Sequence, residues 1–364
     1  MTGRKIKVLI VEHDRAAGAR LAEVLGADPH VEVIGTAEHG ASALKVLAHR
    51  TPDVVTVNVH LLHMNAFELT RRIMESHPVP VVVVSPGFRR EEAATAFAAL
   101  EAGAVAVATA PEQPGTARFE ADAAKLLQTI RAMSEVRVVR RWTRKSPKES
   151  SADIFEGSEV RPAQAEEISI VAIGASTGGP PVLQFILSRL PRSFPVPVLI
   201  VQHIAPGFVR GLAGWLDQST GFPVHMARPG EPARPGHAYL APDGQHLGIE
   251  SNRRMVLTAD LPNNGSCPSI AHMFSSVARS FGSQAAAVLL TGMGRDGARE
   301  LAGLKTLGAL TVAQDRESCV VFGMPREAAA LDAACYVLSP EGITALLLDR
   351  CRSRFPAHSA AAQI

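Results

Sequence analysis

Over residues 1–132, short β-branched runs alternate with stretches whose apolar positions recur every three or four residues. The runs Lys7–Val11, Val31–Thr36, Val54–Val59, Val79–Val84 and Val105–Ala108 predict strands. Asp14–Leu25, Gly40–Ala48, Ala66–Ser76, Arg90–Glu101 and Thr116–Met133 predict helices. Continuous apolar strands separated by helices predict a parallel sheet covered on both faces, with any site at the strands' carboxyl ends. Those ends carry Glu12, His13, Asn58 and Ser85.

The periodicity then stops. Residues 133–167 hold a basic run (Arg137, Arg140, Arg141, Arg144, Lys145, Lys148) and then Ser-, Glu- and Pro-rich sequence, which reads as a linker. The run is either a solvated helix end or a docking strip for an acidic partner. A second α/β block spans 168–352. Its predicted strands are Ile168–Gly174, Pro197–Gln202, Gly236–Leu240, Met255–Thr258, Ala286–Thr291, Ala309–Ala313 and Tyr336–Leu338. Its predicted helices are Gly179–Leu190, Val209–Asp217, Ile270–Phe281, Asp296–Thr306 and Gly342–Arg350. Residues 353–364 read as a frayed tail. The blocks share no motif, so there is no internal repeat.

Composition narrows the class. A chain of 364 residues fits two domains, and 46% hydrophobic with 20% charged residues is ordinary for a globular protein. The net charge of 37 − 35 = +2 gives no sign of a nucleic-acid or membrane-surface binder. Cys267, Cys319, Cys335 and Cys351 form no CxxC pair, which excludes a disulfide scaffold and a zinc ribbon. Arg4, Lys5 and Lys7 precede only the short apolar run Val8–Val11, too little for a signal peptide. No apolar stretch reaches the ~18 residues of a membrane span. The expectation is a cytoplasmic protein without a cofactor.

Three strand-end turns in the second block carry chemistry. Gly174-Ala175-Ser176-Thr177-Gly178-Gly179 fits G-x-S-x-G, a strand-to-helix turn that exposes a serine hydroxyl beside free helix N–H groups. Alone it is equally a phosphate cradle or tight packing. His203 closes the next predicted strand, in Val201-Gln202-His203-Ile204-Ala205-Pro206-Gly207 directly after Gln202. Neighbouring parallel strands lie ~5 Å apart, so it can approach Ser176 as a general base, although a lone strand-end histidine is usually a half-buried polar residue. Thr291-Gly292-Met293-Gly294-Arg295-Asp296-Gly297 is a third such turn, in which Asp296 alone would read as an N-cap. Together the turns present one member each of a Ser–His–Asp set, which is recognised by geometry rather than chain order. His225, His237, His246 and His272 lack metal-ligand spacing and read as core or surface histidines, so no metal site is expected.

These motifs, with Pro235-Gly236-His237-Ala238-Tyr239 and Val320-Val321-Phe322-Gly323-Met324-Pro325, resemble in order those of the chemotaxis protein-glutamate methylesterase family (CheB-type). The first block resembles the flavodoxin-like receiver domain that precedes that family's doubly wound α/β catalytic domain. The resemblance implies that Ser176 attacks glutamate methyl esters on the cytoplasmic domains of chemoreceptors and releases methanol. It also implies deamidation of receptor glutamines by some relatives. Ser176 would be nucleophile, His203 general base and Asp296 its orienting acid, with Thr177 and Met293 at the oxyanion. One departure is Cys267-Pro268-Ser269-Ile270-Ala271, where the family carries a basic residue before Pro-Ser and an aspartate at the place of Ala271. That bears on receptor docking or local packing more than on the Ser–His–Asp set.

The first block departs further. A phospho-accepting receiver needs an aspartate ending its third strand, two acids after the first and a lysine after the fifth. This chain has Asn58, Glu12-His13 and Ala110 there, and Met64-Asn65-Ala66 replaces Met-Asp-Gly; only Ser85 and Pro111 keep the pattern. An amide cannot be a carboxylate nucleophile, and one acid with one histidine is a poor hard-cation site. The reading is a pseudo-receiver, with no phospho-acceptor, that docks other chemosensory proteins or autoinhibits. A non-catalytic adaptor and a small-ester hydrolase using the same three residues are the alternatives.

Overall fold

Described residues of the computed structural model are 4–85, 90–116, 118–136, 138, 167–259 and 266–351. The basic run, most of the linker and the tail lie outside them. The chain forms two compact units, one on each of two parallel sheets.

The first unit runs β1 (Ile6–Val11), α1 (Arg15–Gly26), β2 (Val31–Ala37), α2 (Gly40–His49), β3 (Val54–Asn58), α3 (Ala66–Ser76), β4 (Val81–Ser85), α4 (Arg90–Glu101), β5 (Ala106–Thr109) and α5 (Phe119–Ser134). Every residue of β3 and β4 is buried, as the unbroken valine runs require of strands covered on both faces. Strand order is β2-β1-β3-β4-β5 with all pairs parallel. The order reverses between β1 and β3, and the carboxyl ends there place Glu12 beside Asn58. Helix α1 opens where the Asp14 carboxylate caps the N–H groups of Ala16 and Ala17. Helix α5 begins three residues later than predicted, at Phe119.

The second unit runs β6 (Ile170–Ala175), α6 (Gly179–Leu187), β7 (Val198–Gln202), α7 (Val209–Thr220), β8 (Val224–Met226), β9 (Ala238–Leu240), β10 (His246–Ile249), β11 (Met255–Thr258), α8 (Ile270–Phe281), β12 (Ala285–Leu289), α9 (Ala298–Thr306), β13 (Leu310–Gln314), α10 (Met324–Ala330), β14 (Tyr336–Leu338) and α11 (Pro340–Arg350). The seven strands of its main sheet run β14-β13-β12-β6-β7-β9-β8, all parallel. One face is packed by α8 and α9, with Phe274, Val277, Leu301 and Leu304 against Ile170, Leu199 and Leu289. Strands β8 and β10 and helix α10 add to the predicted elements. The predicted strand Met255–Thr258 is present, but it pairs antiparallel with β10 in a hairpin outside the main sheet. Winding proceeds from β6 to β7 in one direction and through β12 to β14 in the other, so the crevice falls at the carboxyl ends of β6, β7 and β12.

Candidate active site

The register of the second sheet brings the three turns together. Ala175 pairs with Gln202 and Gly174 with Leu289, so Ser176, His203 and the turn after β12 leave the sheet at the same edge. The N–H of His203 donates to the carbonyl of Ala175 at 2.8 Å. Gln202 tightens this junction, because its Nε2 donates to the carbonyls of both Ser176 (2.7 Å) and His203 (2.8 Å). A Cβ on Gly179 would lie 2.2 Å from Gln202 Oε1, so the first residue of α6 must be glycine for the amide to fit.

The serine turn is welded to the turn after β12. The N–H of Ser176 donates to Thr291 O at 3.0 Å, and Thr291 Oγ1 donates to Thr177 O at 3.0 Å. Gly178 takes φ +80°, and a Cβ there would meet Val320 Cβ at 2.5 Å. The Thr291 N–H is held by Gln314 Oε1 at 2.8 Å. With its own N–H spent on Thr291, Ser176 has none to offer a reacting oxygen. Among the described residues the N–H groups of Thr177 and Met293 have no acceptor.

His203 Nε2 lies 2.9 Å from Asp296 Oδ2, with the ring N–H not yet aligned on that oxygen. Such contacts are often loose before substrate binds. Asp296 is not the N-cap of α9; that place belongs to Gly297 in the left-handed region at φ 84°. Its carboxylate caps a different helix, accepting the N–H of Ile270 (2.8 Å), the N–H of Ala271 (3.0 Å) and the Ser269 hydroxyl (3.1 Å) at the start of α8. Burial pushes the Asp296 carboxyl up, but His203 and the N–H groups of Ala271 and Ile270 outweigh it and hold it below its ordinary value. Asp296 is therefore a fixed anion beside the imidazole. Ala271 takes part through its backbone, which no side chain at 271 would alter.

At the first unit's switch point the Asn58 carboxamide is used at both ends: Nδ2 donates to Glu12 Oε2, and Oδ1 accepts the N–H of His60 at 2.7 Å. Glu12 also accepts the N–H of Asp14 at 3.0 Å, and His13 Nδ1 lies 3.2 Å from it. Ala110 borders a cleft of about 490 Å³ with Glu12, His13, Asn58 and Phe119 among its walls. The Ser85 hydroxyl donates to Glu92 Oε2 at 2.7 Å, and the other oxygen of Glu92 faces His60 Nε2 at 3.0 Å. Among the described residues no three His, Cys, Asp or Glu side chains converge as a metal site, and no helix is long and apolar enough to cross a membrane.

Gln202 and Thr291 carry site roles that sequence reasoning did not assign; their place in the quoted motifs could have singled them out but not named their partners. His225 and His237 lie apart from the site, Nε2 to Nδ1 at 2.8 Å. Their ring centroids are 5.0 Å apart with 24° between planes, which with that N···N distance is an edge-to-edge hydrogen bond between rings rather than a face-to-face stack.

Comparison with known proteins matches residues 171–347 to the CheB methylesterase domain and residues 8–116 to the response regulator receiver domain. The protein-glutamate methylesterase/protein-glutamine glutaminase 1 of Syntrophus aciditrophicus is 46% identical over 353 residues, covering 96% of this chain and 100% of that protein. The corresponding protein of Nitrosospira multiformis is 47% identical over 352 residues, covering 96% and 98%. The crystal structure of the Thermotoga maritima CheB methylesterase catalytic domain is similar to 50% of this chain and 99% of its own at 38% identity and a TM-score of 0.49. On identity sustained over nearly the full length of both relatives, this chain belongs to the protein-glutamate methylesterase/protein-glutamine glutaminase family, with a receiver domain ahead of a CheB methylesterase domain.

Proposed function

We propose that this chain hydrolyses glutamate methyl esters on the cytoplasmic domains of chemoreceptors, with Ser176 as nucleophile, His203 as general base and Asp296 as the anion that orients it. The observation carrying this reading is the 2.9 Å approach of His203 Nε2 to Asp296 Oδ2 at the strand end that Gln202 ties to Ser176. With Nε2 on Asp296, Nδ1 is the nitrogen that takes the Ser176 proton. Ser176 Oγ adds to the ester carbonyl, and the Thr177 and Met293 N–H groups stabilise the oxyanion. His203 returns the proton to methoxide, which leaves as methanol. A water then attacks the glutamyl-serine ester with His203 again as base, releasing the carboxylate and free Ser176. The same steps with ammonia leaving would convert a glutamine to a glutamate.

The receiver domain in this reading is phosphorylation-silent. Asn58 offers no carboxylate, Glu12 is already engaged by neutral donors, and Ala110 supplies no ammonium. Its role is docking or autoinhibition. The test of the catalytic reading is methanol release from methylated receptor membranes by the full-length chain. Ser176→Ala should cut kcat by several orders of magnitude, leaving about 10³–10⁴ over water from oxyanion stabilisation and binding. A folded Ser176→Ala protein retaining more than a tenth of kcat overturns the nucleophile.

A further inference from the structure

The proposed chemistry does not explain why the β10–β11 hairpin, outside the main sheet, is fastened so closely to α8. All four residues of β10 are buried. The N–H of Ile249 donates to Ser276 Oγ at 2.8 Å, and that hydroxyl donates back to Ile249 O at 3.0 Å. Ser280 Oγ donates to the same carbonyl at 2.8 Å. A Cβ on Gly248 would stand 2.8 Å from Ser276 Oγ, so glycine lets the strand lie this close. Strand β10 is thereby a rigid shelf along the helix.

At the other end of that shelf is His246, only 2% exposed. Its Nδ1 accepts the N–H of Ser269 at 3.1 Å, so the ring presents a lone pair there. Ser269 is the N-cap of α8; its hydroxyl accepts the N–H of His272 at 3.3 Å and donates to Asp296 Oδ1 at 3.1 Å. The His272 ring lies against His246 at a centroid distance of 4.8 Å. A continuous chain of contacts thus runs from His246 through Ser269 to Asp296 and on to His203. Ser269 is itself buried, so its N–H has water as a poor alternative and depends on the imidazole lone pair.

We propose that His246 is a positioning residue for the ester hydrolysis: its Nδ1 lone pair fixes Ser269, and through it the Asp296 carboxylate, where His203 needs it. This rests on the assignment of Asp296 above. The role requires an acceptor at the place of Nδ1 and not merely a side chain of the right volume.

Two substitutions in the full-length chain separate these requirements. His246→Asn puts an amide oxygen where Nδ1 stands but leaves part of the ring volume empty. His246→Leu fills the space and accepts nothing. With methanol release from methylated receptor membranes as the assay, His246→Leu should lower kcat roughly ten- to a hundredfold with KM nearly unchanged, because the loss is one of alignment. His246→Asn should keep at least about a third of wild-type kcat. A packing role predicts the reverse order, so His246→Leu matching or exceeding His246→Asn overturns the proposal. Where thermal unfolding shows that His246→Leu does not fold, His246→Gln takes its place, since its longer side chain carries the amide past the Nδ1 position. Ser176→Ala is measured alongside. Activity surviving in that variant would fail the nucleophile assignment; its loss, with the order of the His246 variants reversed, would fail only the positioning role.

Discussion

Gly292 is where the packing of the site is tightest and where one methyl group should cost the most. A Cβ built there lies 2.5 Å from Ser176 Cβ, 2.9 Å from Met324 Cε and 3.1 Å from Met324 Sδ. Carbon atoms in contact prefer about 3.5–4.0 Å, so the alanine methyl and Ser176 must part by about 1 Å. The methionine end can swing away, but Ser176 Cβ cannot. Its backbone N–H is held on Thr291 O at 3.0 Å and its carbonyl by Gln202 at 2.7 Å. The turn after β12 is pinned as well, because Gly292 N donates to Val321 O at 3.0 Å while Gly292 O accepts from Gly323 N at 3.1 Å and Met324 N at 2.9 Å. Gly292→Ala should therefore destabilise the catalytic unit by about 1–3 kcal/mol as an overpacked site does. It should also lower kcat about a hundredfold, since a shift of about 1 Å separates the Met293 N–H from the Ser176 oxygen. Calorimetry reads the first and methanol release the second. A variant with kcat within threefold of wild type would refute the proposed joint action of the Met293 N–H and Ser176.

Gly303, in the interior of α9 with nothing within 4 Å of its built Cβ, gives the opposite sign: Gly303→Ala should raise stability by about 0.5–1 kcal/mol in urea unfolding with kcat unchanged. Asp296→Asn should lower kcat about 10²–10⁴-fold, because the neutral amide no longer stabilises the imidazolium. Asp296 is more acidic folded than unfolded, so its contribution to stability is complete above the ordinary carboxylate value of about 3.9 and is lost as pH falls through the depressed folded value. The stability gap between wild type and Asp296→Asn in urea unfolding should accordingly close in acid. Acetyl phosphate with magnesium should add no phosphoryl mass to the wild-type chain, nor to Asn58→Asp alone, as read by intact-protein mass spectrometry. A labelled wild-type chain would overturn the pseudo-receiver reading.

The sheets were legible because burial on both faces writes itself into the sequence as unbroken apolar runs. Val81–Ser85 and Val198–Gln202 are buried at every position and read as strands without ambiguity. Strand β10 is equally buried, yet its sequence is His-Leu-Gly-Ile, and neither the histidine nor the glycine signals a strand. Strand β8 has only three residues, too few for any period to show. Helix α10 opens on Met324-Pro325, a normal first turn, but only seven residues follow the pattern. At the site, the serine and aspartate turns could be read because each carries its own local glycine chemistry, and His203 because it sits at the end of the neighbouring strand. The partners of those turns could not. Asp296 meets Ile270 and Ala271 across 26 and 25 residues of sequence, and Gln202 meets Ser176 across 26. Nothing local marks such contacts; they exist only once strand register is set.

The case of Asp296 shows why the departure at Ala271 leaves the proposed chemistry intact. A carboxylate this far buried would by itself be pushed toward its neutral form, which could not stabilise a cationic imidazole. The start of α8 prevents this with two backbone N–H groups and a hydroxyl, where the helix dipole adds positive potential. All three donors are independent of the side chain at 271. The Ala271 side chain instead borders a cleft of about 200 Å³ next to Asp296, lined also by Arg295, Arg299, Glu300 and Glu327. The anion behind His203 is held by backbone geometry, which a change of side chain does not reach.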